Sequence, residues 1–412
     1  MPALSLLSAL PALLITVLAL CLAHLHSQWP SLQHQNHARN ASIDGLRGFL
    51  ALFVFLHHAV LWYDYLKSGK WQLPPSYFYI HLGQSSVALF FMITAFLFCT
   101  KLLDTRHQTT FDNKPLLSSA IFWQRLYVSR VLRLTPLYFF MLAVMLVVAA
   151  IVSDFQLREP LPVLVKNIGA WASFMILGRP DINNIVNTSR MIAGVNWTLP
   201  YEWFFYFALP LLAVFARVIP SWPYLLFSAA AITGLWFKIF PWAPVSIYGY
   251  AFLGGLIAAI AVRWHWLNHL LSSAWGRKIG AVAALLCFNY VFRQYSTANS
   301  LPALAWLTVA FTIIASGNSL FGLLHSPAAQ KLGDASYSIY LLHGLVLYTV
   351  FKLILGFDTA AQLSIYSFWG VILLCTVVLL PLSFATFYWI EAPAMRFAPK
   401  LNQWIESRKP RI

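Results

Sequence analysis

The chain has 412 residues, of which 60% are hydrophobic and only 9% charged, against about a quarter charged in an ordinary soluble domain. That excludes a soluble globule of this size, which would lack the polar residues to cover its core, and it points to a protein solvated by lipid. The net charge of +15 does not indicate nucleic-acid binding, because Lys and Arg fall in short loops and tails between apolar runs, and no basic stripe interleaves with stacking aromatics.

The unbroken apolar runs suit helical spans of about 20 residues rather than barrel strands. The expected fold is therefore all-α, a polytopic transmembrane helix bundle. The first run, about 3–24, lacks a preceding Lys or Arg and reads as a membrane anchor, followed by a polar linker that includes His37 and Arg39. Further spans are expected near 48–66, 80–101, 136–154, 199–217, 221–239, 244–263, 278–293, 302–318, 336–356 and 365–390, which makes eleven crossings. The run 161–177 is short and contains Lys166.

Loop charges decide that run. Lys101, Arg106, Lys114, Arg125, Arg130 and Arg133 occupy one segment; Arg263, Arg277 and Lys278 a second; and Arg396, Lys400, Arg408, Lys409 and Arg411 the tail. All three face the cytoplasm only if 161–177 does not cross, so it is expected to be re-entrant or interfacial. The N-terminus is then outside and the C-terminus cytoplasmic. The chain divides into an anchor and linker (1–41), an integral-membrane domain (42–398) and a basic tail (399–412). Cys21, Cys99, Cys287 and Cys375 lie in or beside apolar runs without CxxC spacing, as small packing residues do.

Ionisable groups inside spans are functional candidates. In Ile43-Asp44-Gly45-Leu46-Arg47-Gly48 and the following run, Arg47 and His58 stand eleven residues apart. At about 100° and 1.5 Å per residue they share a helix face, with His58 about 16 Å deeper. Asp44 shares that face and His57 does not. Such a face suits a general base beside an anion-binding group; it equally suits a structurally satisfied His and an Arg that snorkels to headgroups. Arg130 and Arg133, one turn apart in Ser129-Arg130-Val131-Leu132-Arg133-Leu134-Thr135-Pro136, suit phosphate binding through planar guanidinium groups, or positive-inside anchoring. Pro136 is placed in the first turn of the helix that follows.

Taken with these segments, Phe90-Phe91-Met92-Ile93-Thr94-Ala95-Phe96, Asn196-Trp197-Thr198-Leu199-Pro200-Tyr201-Glu202, Leu332-Gly333-Asp334-Ala335-Ser336 through His343, and Ile390-Glu391-Ala392-Pro393 follow in order. This set resembles the membrane-bound acyltransferase-3 family over about residues 42–398. Thr94-Ala95-Phe96 departs from the usual Ser-Gly-Phe, though Ala still permits close helix packing. The run at 3–24 is additional to the family's usual ten-span unit.

The resemblance implies an enzyme that moves an acyl group, usually acetyl, from acyl-CoA to a hydroxyl of a carbohydrate such as a cell-surface polysaccharide or lipopolysaccharide, in a bacterial inner membrane. His58 is the implied base or covalent acyl carrier, and these two roles stay open. Asp44, Arg47 and Glu202 accompany it in the catalytic set. Arg130, Arg133 and Arg47 are assigned to the acyl-CoA donor. Trp197, Tyr201 and His343 are candidates for the acceptor, although interfacial aromatic belts also explain the first two. Asp334 or Ser336 is expected to cap the helix of His343, and Glu391 to pair with Arg396. No metal-ligand spacing and no Walker-type loop are present. A secondary transporter is the competing reading from another class, but it favours internal repeats that this sequence lacks. A sensor or scaffold that has kept the fold without the activity is the third.

Overall fold

The computed structural model describes residues 8–28, 40–109, 115–215, 217–237, 239–240 and 245–408. His37, Arg39, Lys114, Lys409 and Arg411 lie outside the described residues. Among those described, the secondary structure is helical without strands. In chain order the helices are α1 (Leu10–Ser27), α2 (Ala41–Ser68), α3 (Tyr77–Thr105), α4 (Ala120–Val152), α5 (Leu161–Ala172), α6 (Thr198–Phe215), α7 (Trp222–Trp236) and α8 (Ser246–Ala261). They continue with α9 (His265–Ser272), α10 (Ala274–Gln294), α11 (Leu301–Ala315), α12 (Pro327–Asp334), α13 (Ser336–Tyr348), α14 (Phe357–Ala361), α15 (Ile365–Thr386) and α16 (Ala392–Ser407). The protein is a polytopic helical bundle.

Among the described residues seven helices are long and apolar enough to cross a membrane, or eight if the α8–α9 pair, bent by 86°, counts as one broken span. The apolar runs of the sequence predict eleven crossings. Helices occur at the remaining expected positions, but α7 and α11 have 15 residues each, about 22 Å against a hydrocarbon core of about 30 Å. Helix α10 is longer but carries Arg277, Lys278 and Arg293. The short run at 161–177 becomes α5, only 12 residues long.

The chain divides into two compact units. The first comprises Met1–Phe96, Arg190–Val195 and Val245–Ala385; the second comprises Leu97–Ser189, Asn196–Pro244 and Thr386–Ile412.

In the first unit α2 is the central helix, with 83% of its apolar window buried. The Asn40 side chain accepts from Ile43 N–H at its start, and Gly69, at φ +70°, closes its end with an N–H bond to the Tyr65 carbonyl. Helix α2 packs on α12 and α13, and α1 packs on α12. Small residues allow this approach. A Cβ on Gly45 would sit 2.0 Å from the Leu324 carbonyl oxygen, and one on Gly333 would sit 2.1 Å from that of Asp44. Gly255 answers the Thr94-Ala95-Phe96 departure in the same way, lying against the Met92 carbonyl and Ala95. The expected caps at Asp334 and Ser336 are not formed. Asp334 ends α12 and Ser336 begins α13, whose N-cap is Ala335 with no side-chain cap, while Ser326 caps α12 instead.

In the second unit α4 packs against α16, and α6 against α7. Helix α4 runs 33 residues without a break and holds Pro136 in its interior. This corrects the expected start of the span at Pro136, because the basic segment before it is helical too. Amphipathic α16 explains why: it covers the polar stretch of α4, with Arg125 bonded to Glu406 at 2.9 Å and Gln124 to Asn402 at 3.4 Å. Helix α16 also carries the chain through the expected domain–tail boundary at residues 398 and 399.

Candidate active site

The first unit contains a cluster of three imidazoles. His57 and His58 are adjacent on α2, so they leave the helix about 100° apart and meet different surroundings. His57 is 6% exposed, its Nδ1 is 2.8 Å from the Tyr79 carbonyl oxygen, and its ring lies against Gly83, where a Cβ would meet it at 2.5 Å. It is a packed, satisfied histidine. His58 remains half-buried and points to α13, where His343 is fully buried.

The Nε2 of His343 lies 3.2 Å from Nδ1 of His58. Nδ1 of His58 is also 2.9 Å from the Val54 carbonyl oxygen, and Nδ1 of His343 is 3.1 Å from that of Ile339. The two rings have centroids 5.0 Å apart. Tyr340, on the same turn as His343, donates to the Val195 carbonyl at 2.9 Å. A Cβ on Gly344 would overlap Ile192 at 2.1 Å, so the 190–195 segment is seated directly on α13.

Arg47 and Asp44 are half-buried at the other end of α2. The expected common face of Asp44, Arg47 and His58 is intact, because α2 is regular from Ala41 to Ser68.

The second unit holds the remaining sequence candidates. Arg133 and Arg130 share a face of α4 but have different partners. Arg133 Nη1 is 3.0 Å from Glu391 Oε2, with side chains 12% and 0% exposed, and 3.2 Å from the Met395 sulfur. Glu391, expected to pair with Arg396, is thus engaged by Arg133. Arg130 stacks over Phe98 at 5.1 Å, and its Nε donates to Ser129 Oγ at 3.3 Å. Among the described residues no carboxylate lies within ion-pair distance of Arg130. Glu202, in the second turn of α6, accepts from the Tyr206 hydroxyl one turn on. Trp197 and Tyr201 meet edge to face at 5.7 Å, and Tyr201 is buried. Trp203 is buried against Phe174 and Tyr206.

Sequence reasoning missed two partners, Tyr206 for Glu202 and Glu391 for Arg133. The first stood one helical turn away and was open to the same periodicity argument as Arg47 and His58. The second depends on packing between helices distant in the chain. Among the described residues, no group of three His, Cys, Asp or Glu side chains is arranged to hold a metal ion.

A family model described as an acyltransferase domain matches residues 40–388. Nodulation protein 10 of Rhizobium leguminosarum bv. viciae is 25% identical over 394 residues, which covers 90% of this chain and 97% of that protein. No solved structure matches the chain significantly.

Proposed function

The chain belongs to the acyltransferase-3 family and is a membrane acyltransferase; we propose that it moves an acetyl group from acetyl-CoA to a carbohydrate hydroxyl, with His58 as the base. The observation that carries this reading is the hydrogen bonding of the His58–His343 pair. A backbone carbonyl only accepts, so the bonds to Val54 and Ile339 require a proton on Nδ1 of both rings. In the neutral pair Nε2 of His343 then has a free lone pair, and it accepts from Nδ1–H of His58 across 3.2 Å. This leaves Nε2 of His58 unprotonated, on the one imidazole of the three that is not fully buried.

The chemistry follows from that tautomer. As the acceptor oxygen attacks the thioester carbonyl, Nε2 of His58 takes its proton. The C–O bond forms, the C–S bond breaks, and the proton passes from the imidazolium to the departing thiolate. His343 orients His58 and stabilises its charged form through the Nδ1–H bond, the part a carboxylate plays in a hydrolase triad. This moves His343 from the acceptor set to a positioning role.

Arg47, one bilayer leaflet away from His58 on the same face, supplies a cation for the donor's phosphates. Arg130, without a carboxylate partner, supplies another, whereas the charge of Arg133 is already compensated by Glu391. Glu202, Trp197 and Tyr201 remain candidates for contacts with the acceptor. The reading places the protein in a bacterial inner membrane with its C-terminus cytoplasmic, consistent with the loop charges. Family membership weighs against the transporter reading.

The test is transfer of radiolabelled acetyl from acetyl-CoA in membranes containing wild type or His58→Ala. Label in the glycan fraction with wild type alone supports the proposal. Equal label with both removes His58 from the chemistry, and label held on wild-type protein but not on His58→Ala replaces the base with a covalent carrier. No transfer by folded wild type overturns the donor or the acceptor.

A further inference from the structure

The end of α2 opposite Arg47 carries a cluster that the acyl-transfer mechanism above does not use. Trp62 and Tyr65 follow His58 at four and seven residues, so both continue its face, and Tyr65 lies about 10 Å beyond it. Trp62, Tyr65 and Trp71 meet one another edge to face, with centroids 5.4–5.7 Å apart. Trp62 is 1% exposed and its indole N–H has no hydrogen-bond partner; Tyr65 and Trp71 are half-exposed above it.

Arg190 lies over both outer rings, 4.9 Å from the centroid of Tyr65 and 6.0 Å from that of Trp71. One of its five N–H groups donates to the Tyr65 hydroxyl at 3.1 Å. Phe357 packs on Tyr65 at 5.5 Å and carries a second cation, Lys352, 5.2 Å above its ring. Lys352 stands in the π-helical turn Thr349–Ile354, which directly follows the helix of His343. Among the described residues neither cation has a carboxylate within ion-pair distance.

Arg190 begins a segment seated on α13. Residues 190–195 belong to the first unit although the chain on both sides belongs to the second. Met191 and Ile192 are buried, and Ala193 and Gly194 turn the chain with consecutive left-handed conformations, φ 52° and 69°. A left-handed alanine is strained, and it is held here by the seat of Ile192 against Gly344, the residue after His343.

We propose that Tyr65, Trp71, Arg190 and Lys352 form a binding subsite for an anionic sugar, the acceptor or the part of it next to the acetylated residue. Half-exposed aromatic rings offer flat faces to the C–H surface of a sugar ring. A stacked guanidinium with N–H groups to spare and a nearby ammonium supply the charge complement for a carboxylate or phosphate on that sugar. The position on the His58 face, about two turns away, suits an oligosaccharide that reaches the imidazole with one hydroxyl. This deepens the proposed function, because it rests on His58 marking the point of transfer.

The test is calorimetric titration of the full-length protein in lipid nanodiscs, without acyl donor, so that its result is independent of whether acetyl transfer occurs. The probes are a glucuronate-containing oligosaccharide, its carboxyl-reduced neutral counterpart, and a sugar 1-phosphate. We expect wild type to bind at least one anionic probe about tenfold or more tighter than the neutral one. The preference should vanish in Arg190→Ala, fall in Lys352→Ala and be partly kept in Arg190→Lys. Tight binding of the glucuronate or of the phosphate probe identifies which anion is read. Equal affinity of wild type for charged and neutral probes overturns the proposal, as does an unchanged preference in both alanine variants. Lys352 is exposed, so its variant reports on the subsite even if Arg190→Ala fails to fold.

Discussion

Two pairs of polar residues sit inside this bundle, and they differ in what they leave undone. In the second unit half-buried Arg133 meets buried Glu391 at 3.0 Å, and each charge answers the other. In the first unit His58 and His343 are joined at 3.2 Å, yet every bond made by His58 is on Nδ1. An ion pair of opposite charges closes on itself. Two imidazoles anchored through Nδ1 leave a lone pair at the end of the chain of bonds, on the half-buried ring. Burial of polar groups in a membrane span is therefore not by itself a sign of chemistry; on the proposed reading the sign is a satisfied group that retains one reactive atom.

The comparison can be broken by mutation. The largest effect is expected for His58→Ala, a loss of kcat of about 10²–10⁴-fold with the fold intact, the range that general-base removal gives, read from the initial rate of label transfer. Glu391→Ala should act on stability, because it strands the Arg133 charge in a buried site at a cost of about 3–5 kcal/mol. Thermal unfolding in detergent should show a much lower Tm, with Arg133→Met/Glu391→Leu recovering part of it. Gly45→Val should cost about 1–3 kcal/mol by forcing α2 off the Leu324 carbonyl, checked by the same melting experiment. The smallest effect, about tenfold, is expected for Arg130→Ala, as a rise in KM for acetyl-CoA with kcat largely kept, the signature of lost uniform binding. An unchanged KM would remove Arg130 from donor recognition.

Much of this was legible in the chain. The membrane class followed from composition, and the common face of Arg47 and His58 followed from helical period, because both lie on one uninterrupted helix. The separation of His57 from His58 followed for the same reason. What escaped were relations between helices. No local pattern reports that His343 meets His58 across 285 positions, or that Glu391 is taken by Arg133 rather than held only by its neighbour Arg396. The unbroken run of α4 through Pro136 escaped too, because the basic residues before it read as a loop until α16 was seen to cover that face. The crossings expected beyond the seven long apolar helices fall on short or charge-bearing helices, which length and composition alone do not mark as spans.

The central claim is that His343 orients His58 and stabilises its charged form through Nδ1–H, and the most direct measurement is the single-turnover rate of acetyl transfer by His343→Leu and His343→Gln. The leucine leaves the Val54 carbonyl but removes the side-chain acceptor for Nδ1–H of His58, which the glutamine amide oxygen can replace. The account predicts a loss of about 10–100-fold with leucine, the usual effect of removing an orienting partner, and recovery of most of it with glutamine. A leucine variant as fast as wild type would contradict it.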